Sequence, residues 1–91
     1  METFHVDLAD EWVLVVDGST YSEFGVQLGN QNPVALAFAA SAPAADTFDR
    51  IQMSFDRMSD FGKATNGANV YARALHAGQT SRLFGYKITA A

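Results

Sequence analysis

Apolar residues alternate with polar or small residues in several short segments of the chain, as in Phe4-His5-Val6-Asp7-Leu8. Alternation with a period of two places the apolar side chains on one face of a β-strand. We therefore predict strands at residues 4–8, 24–28, 34–38 and 84–88, and further strands at the apolar segments 12–16 and 70–75. Residue pairs typical of tight turns lie between these segments: Asp17-Gly18, Gly29-Asn30, Asn66-Gly67 and Ala77-Gly78.

Two of these segments allow a statement about packing. Residues 12–16 are apolar throughout, which is typical of a strand buried on both faces, and we expect Trp12 to lie in the core. The strand at 34–38 alternates large residues with small ones, so that Ala35, Ala37 and Ala39 share one face. We expect a loop, a second sheet or a neighbouring subunit to pack closely on this face.

The segment from Asp46 to Phe61 is compatible with two structures. A helix begun by Asp46 would align residues spaced by three and four: Phe48, Ile51, Phe55 and Met58. A strand would align alternate residues: Ile51, Met53 and Phe55. The surrounding strands favour the second structure, because the edge of a sheet needs a partner. We expect a strand followed by an irregular connection over 56–67, and a short helix within 46–61 stays open.

These patterns predict an all-β fold, a compact antiparallel β-sandwich or jelly-roll-like arrangement of about seven or eight short strands. A chain of 91 residues makes one domain, residues 1–91. The N-terminal residues lack the basic start and apolar stretch of a signal peptide. The longest apolar run, at 33–40, is too short to span a bilayer. We expect neither a leader nor a membrane partner.

Charge and cysteine content exclude several classes of function. Ten acidic and six basic residues give a net charge of −4, whereas nucleic-acid binding needs clustered positive charge. We expect no nucleic-acid partner. The chain has no cysteine, which excludes a disulfide framework, a thiolate zinc site and a thiol nucleophile.

No motif in the sequence predicts catalysis, a cofactor or a metal ion. His5 and His76 have no second histidine and no cysteine at the spacing of a zinc site. The serines lack the glycine-flanked turn that presents a nucleophile. Acidic and basic residues are interleaved between Asp46 and Lys63, which indicates surface ion pairs rather than a calcium loop. We expect the protein not to be an enzyme, with no catalytic residue, no cofactor and no metal site.

Aromatic residues are abundant for so short a chain: seven Phe, three Tyr and one Trp. A core of this size does not readily hold all these rings. We therefore expect an exposed aromatic or methionine patch that contacts a partner, with Met53, Met58 and Phe61 as candidates. The alternative is that irregular loops cover these residues. A carbohydrate-binding module in which Trp12 and the tyrosines stack on sugars is a further alternative from another class.

The segments at 33–46 and 66–74 resemble those of a known group of proteins. An apolar strand, Pro33 to Ala40, leads into the loop Ser41-Ala42-Pro43-Ala44-Ala45-Asp46, and a later turn leads into Val70-Tyr71-Ala72-Arg73. This order resembles that of small structural proteins of tailed bacteriophages and covers about half of the chain. The sequence departs from the pattern at 56–63, where a polar and aromatic insertion replaces a Pro-Gly turn.

The resemblance implies a non-catalytic virion component that is assembled in the host cytoplasm. The function it implies first is a capsid decoration or cement protein, a homo-oligomer and most often a homotrimer, bound to the major capsid protein of the head lattice. A tail, neck or fibre component is the alternative within the virion. On this resemblance Arg73 is a further partner-contact candidate, as an interfacial or buried ion-pair residue; an ordinary outward arginine is the alternative.

Overall fold

A computed structural model describes residues 1–44 and 50–90 of the chain. These residues contain eight β-strands and no helix. The strands are β1 (Glu2–Leu8), β2 (Val13–Val16), β3 (Tyr21–Leu28), β4 (Val34–Ala39), β5 (Ile51–Met53), β6 (Asp60–Ala64), β7 (Asn69–Ala74) and β8 (Ser81–Thr89). The prediction of an all-β fold with seven or eight short strands is confirmed.

The strands form two antiparallel sheets of four strands each. Sheet A has the order β1-β8-β3-β6, and sheet B has the order β2-β7-β4-β5. One buried cluster contains residues from both sheets, so the sheets pack face to face as a sandwich. It includes Leu8, Phe24, Val26, Leu28 and Leu83 from sheet A and Val16, Val34, Leu36, Met53, Val70 and Ala72 from sheet B.

The ring of Phe24 lies in the contact between the two sheets. Phe24 is fully buried on β3, and its ring centroid lies 6.0 Å from that of Phe38 and 6.1 Å from that of Phe61. Phe38 belongs to β4 of the opposite sheet. Tilted ring pairs at such distances stabilise a core beyond the area that they bury.

The region around residues 46–67 differs in part from the sequence expectation. Ile51–Met53 is a strand, as predicted, and it pairs with β4; residues 50–61 contain no helix. Residues 46–49, where the helix would begin, lie outside the described part of the chain. The expected irregular connection over 56–67 is wrong, because Asp60–Ala64 forms β6 and pairs with β3 along sheet A.

The expectation that residues 12–16 are buried on both faces is also wrong. Strand β2 lies at the edge of sheet B and pairs only with β7 among the described strands. Its register shifts between Leu14 and Val16, and Val15 is the extra residue of this irregularity. Val13 and Leu14 are 37% and 48% exposed. This apolar strand therefore lies at an edge of the sandwich and not at its centre.

Candidate functional site

The outer face of sheet A carries a row of side chains that runs across all four strands. His5 pairs with Phe84, Phe84 pairs with Gln27, and Gln27 pairs with Asp60. Directly paired residues project on the same face of a sheet. The rings of His5 and Phe84 lie 6.2 Å apart and are tilted by 45°. This row therefore combines an imidazole, a phenyl ring, an amide and a carboxyl group on one surface.

A second row lies beside the first, at the next outward position of each strand. It consists of Thr3, Tyr86, Gly25 and Gly62. The Tyr86 side chain extends over Gly25, where a Cβ atom would lie 2.8 Å from its Cζ and 3.0 Å from its hydroxyl oxygen. The hydroxyl group reaches as far as Gly62 on β6. The two glycines leave room for the ring to lie along the sheet.

The two rows enclose a shallow open cavity of about 910 Å³, which we call the aromatic groove. Phe84 and Tyr86, which line it, are 40% and 37% exposed. The groove volume falls in the range typical of small-ligand sites, about 300–1,000 Å³. The groove joins exposed aromatic rings to a small number of polar groups, which is the composition typical of such sites.

An ion pair borders the groove on the side of the first row. Arg82 Nε donates a hydrogen bond of 2.6 Å to Asp7 Oδ1 on the neighbouring strand. This hydrogen bond holds the pKa of the Asp7 carboxyl group below its ordinary value and raises the pKa of the Arg82 guanidinium group. The guanidinium charge is therefore engaged beside the groove by a carboxylate of the same sheet.

The sequence alternation placed Phe84 and Tyr86 on one face of β8 but did not identify which face was outward. Leu83 and Ser81 occupy the opposite face and are fully buried. Gly85 also lies on the inner face, beneath Phe4, whose Cζ would be 2.9 Å from a Cβ at this position. A glycine among larger residues of a strand often marks a close approach of another group, and here it is a sequence signal for the inner face of β8.

The four residues proposed from sequence as partner contacts do not form one surface. Met53 is fully buried, so the expectation that it lies in an exposed patch is wrong. Met58 and Phe61 are half-buried and pack against the core cluster. Arg73 alternates with the inward Ala72 and Ala74 and so lies on the outer face of sheet B. A contact role for Met58, Phe61 and Arg73 stays a prediction.

Trp12 lies outside the buried cluster, and the expectation that it is a core residue is wrong. Its side chain is half-buried. Its indole N–H donates a hydrogen bond of 3.1 Å to the carbonyl oxygen of Ala44, and the Arg73 guanidinium carbon lies 5.7 Å from the ring centroid. The indole thereby ties the loop after β4 to the outer face of sheet B, where Ala35 and Ala37 are buried.

The tyrosines do not join Trp12 in a common platform. Tyr21 donates a hydrogen bond to Glu2, which raises the pKa of its hydroxyl group, and the Lys87 ammonium lies 4.5 Å from its ring centroid. Tyr71 is buried. Tyr86 is the remaining tyrosine, and it lies in the aromatic groove on sheet A. The structure of residues 1–44 and 50–90 therefore does not bring Trp12 and the three tyrosines together on one exposed surface, and the carbohydrate-binding alternative stays a prediction.

No group of three or more His, Asp or Glu residues within 1–44 and 50–90 is placed to hold a metal ion. In the same ranges no helix is long and apolar enough to cross a membrane. Comparison of the chain with protein-family models, curated proteins and solved structures finds no match.

Proposed function

We propose that the chain is a structural subunit of a tailed-bacteriophage virion, a decoration or cement protein that binds the head lattice as a homo-oligomer. The observation that carries the proposal is the exposed apolar edge strand β2, with Val13 and Leu14 accessible. The resemblance of residues 33–46 and 66–74 to small phage structural proteins supports the virion as the assembly in which this edge strand contacts other chains. The proposal assigns the protein no catalytic activity.

An edge strand presents unpaired N–H and C=O groups that can pair with a strand of another chain. In β2 these groups are accompanied by two exposed aliphatic side chains. Their burial stabilises a contact by about 25 cal/mol for each Å² of apolar surface. Each such contact is weak because association also costs entropy. Repetition over a lattice converts weak contacts into strong attachment.

Substitution of Leu14 by lysine should abolish self-association and leave the fold intact. The wild-type chain of 9.8 kDa is expected to sediment as an oligomer, and the resemblance to phage proteins implies a trimer. A charge on the edge strand opposes pairing with a second copy. Phe55→Lys is the matched control, because Phe55 is also apolar and exposed but lies in the turn between β5 and β6. Analytical ultracentrifugation of the three proteins measures the effect.

Two outcomes of this experiment contradict the proposal, the first its oligomer and the second its contact through β2. One is a wild-type protein that stays monomeric at high micromolar concentration. The other is an oligomer that Leu14→Lys does not change, which would place the contact elsewhere on the chain. Circular dichroism spectra of the variants establish that any loss of association is not a loss of fold.

The location in the particle is tested separately from self-association. Mass spectrometry of particles purified from the virus that encodes this chain should detect it at a copy number comparable with that of the major capsid protein. Antibody labelling then distinguishes a head location from a tail, neck or fibre location. Absence of the chain from purified particles would contradict the virion assignment even if the protein is oligomeric.

A further inference from the structure

The aromatic groove contains two exposed rings on a central strand of sheet A. Phe84 and Tyr86 are two residues apart on β8, so their attachment points are separated by about 7 Å. Each ring leans over a glycine of the neighbouring strand or its end. Phe84 Cε2 would lie 2.6 Å from a Cβ on Gly29, and Tyr86 Cζ would lie 2.8 Å from one on Gly25. One side of each ring is therefore supported by backbone, while each side chain stays more than a third exposed.

Neutral and acidic hydrogen-bonding groups surround these rings. Thr3, His5 and Gln27 supply groups that both donate and accept, and Asp60 supplies a carboxyl group. The lining residues, all from the described part of the chain, include no Lys or Arg. The adjacent Arg82 is paired with Asp7. The lining therefore lacks the Lys and Arg side chains that bind phosphates and other anionic ligands.

We propose that the aromatic groove binds a neutral saccharide. A pyranose ring has an apolar face of C–H groups and a rim of hydroxyl groups that both donate and accept hydrogen bonds. The rings of Phe84 and Tyr86 offer an apolar surface to the C–H face of the sugar. The four polar side chains offer donors and acceptors to its hydroxyl groups. The open groove of about 910 Å³ has room for an oligosaccharide that extends beyond its ends.

The individual residues have distinct roles in this site. Tyr86 and Phe84 stack on sugar rings, and the Tyr86 hydroxyl group, above Gly62, is placed to bond a hydroxyl at the β6 side. Gln27 lies between Phe84 and Asp60 in the first row and bonds hydroxyl groups at the centre. This site is independent of the self-association proposed above, since it lies on sheet A and β2 belongs to sheet B.

Binding is tested with the full chain and a panel of defined probes. The isotope-labelled protein is titrated, with nuclear magnetic resonance detection, with cellohexaose, maltohexaose, chitohexaose and a mannose oligomer. A heparin-derived hexasaccharide is the anionic probe, and a proline-rich decapeptide represents the other ligand class that docks on aromatic grooves. We expect at least one neutral oligosaccharide to shift the amide signals of Gly25, Gly62 and Gly85, which lie within the groove.

Variants assign the binding to the groove. Tyr86→Ala and Gln27→Ala should each weaken binding about tenfold or more, the effect of losing one stacking or hydrogen-bonding group. Phe55→Ala, at an exposed residue outside the groove and outside β2, should leave it unchanged. Gln27 is exposed, and its replacement leaves both rings in place. Gln27→Ala therefore still tests binding at the groove if Tyr86→Ala disturbs the sheet. Absence of binding by every neutral probe, shifts outside the groove, or binding of the decapeptide or heparin probe alone would overturn the proposal.

Discussion

Replacement of Phe24 by alanine is expected to lower the free energy of unfolding by about 3–5 kcal/mol. The Phe24 side chain is fully buried and contacts rings from both sheets, Phe38 of sheet B and Phe61 of sheet A. Its removal leaves a cavity that these neighbours fill only in part. Domains of this size have total stabilities of about 5–15 kcal/mol, so the variant loses a large part of its stability.

Urea denaturation measures this loss as a lower midpoint at an unchanged dependence on urea. Phe55→Ala is the control, because Phe55 is 53% exposed and its removal should change the free energy by less than about 0.5 kcal/mol. The loss of unfolding free energy in Trp12→Ala, which removes a half-buried ring, should fall between those of Phe24→Ala and Phe55→Ala. A Phe24→Ala midpoint equal to that of Phe55→Ala would contradict the burial of Phe24 between the two sheets.

Strands whose side chains alternate were predictable from the sequence, because alternation is a local property. Phe4, Val6 and Leu8 share the inner face of β1, and Val34 and Leu36 share that of β4, as their alternation indicated. The turn at 66–67 was predictable for the same reason. Asn66 and Gly67 both have positive φ, at 52° and 84°, which is the conformation that an Asn-Gly pair favours.

Strand β6 could not be predicted, because its own sequence carries little signal. Of Asp60–Ala64, only Phe61 is a large apolar residue, and Gly62 and Lys63 are typical of loops. The strand forms because the free edge of β3 pairs with it from Glu23 to Gln27. Once β6 has paired, the ring of Phe61 packs against that of Phe24. Such pairing depends on residues distant in the sequence, so the five residues of the strand do not predict it by themselves.

The position of the aromatic groove was hidden for a different reason. A period of two assigns residues to two faces but does not say which face meets the other sheet. In β8 the large rings Phe84 and Tyr86 face outward, while Leu83 and Ser81 face inward. Side-chain size therefore does not identify the inner face of this strand. The glycines beneath the rings, Gly29 and Gly25, meet Phe84 and Tyr86 only after β3 and β8 pair.

Replacement of Gly18 by alanine is expected to destabilise the fold by about 3 kcal/mol or more, the upper part of the range for a side chain forced into a packed site. A Cβ on Gly18 would lie 2.5 Å from the carbonyl carbon of Ala68, 2.7 Å from that of Gly67 and closer still to the Ala68 oxygen. The Gly18 N–H also donates a hydrogen bond of 2.9 Å to Asn69 Oδ1. The obstruction is backbone, so no side-chain rotation relieves it.

The turn after β2 and the turn before β7 must therefore separate in Gly18→Ala, which strains the pairing of these two strands. Gly67→Ala is the control from the opposing turn: its Cβ would meet nothing within 4 Å, and it suffers only from its positive φ of 84°. That conformation costs about 1–2 kcal/mol. Thermal unfolding should therefore rank wild type above Gly67→Ala, and Gly67→Ala above Gly18→Ala. A Gly18→Ala protein more stable than Gly67→Ala would show that the two turns do not pack in this way, and the register of β2 against β7 would have to be revised.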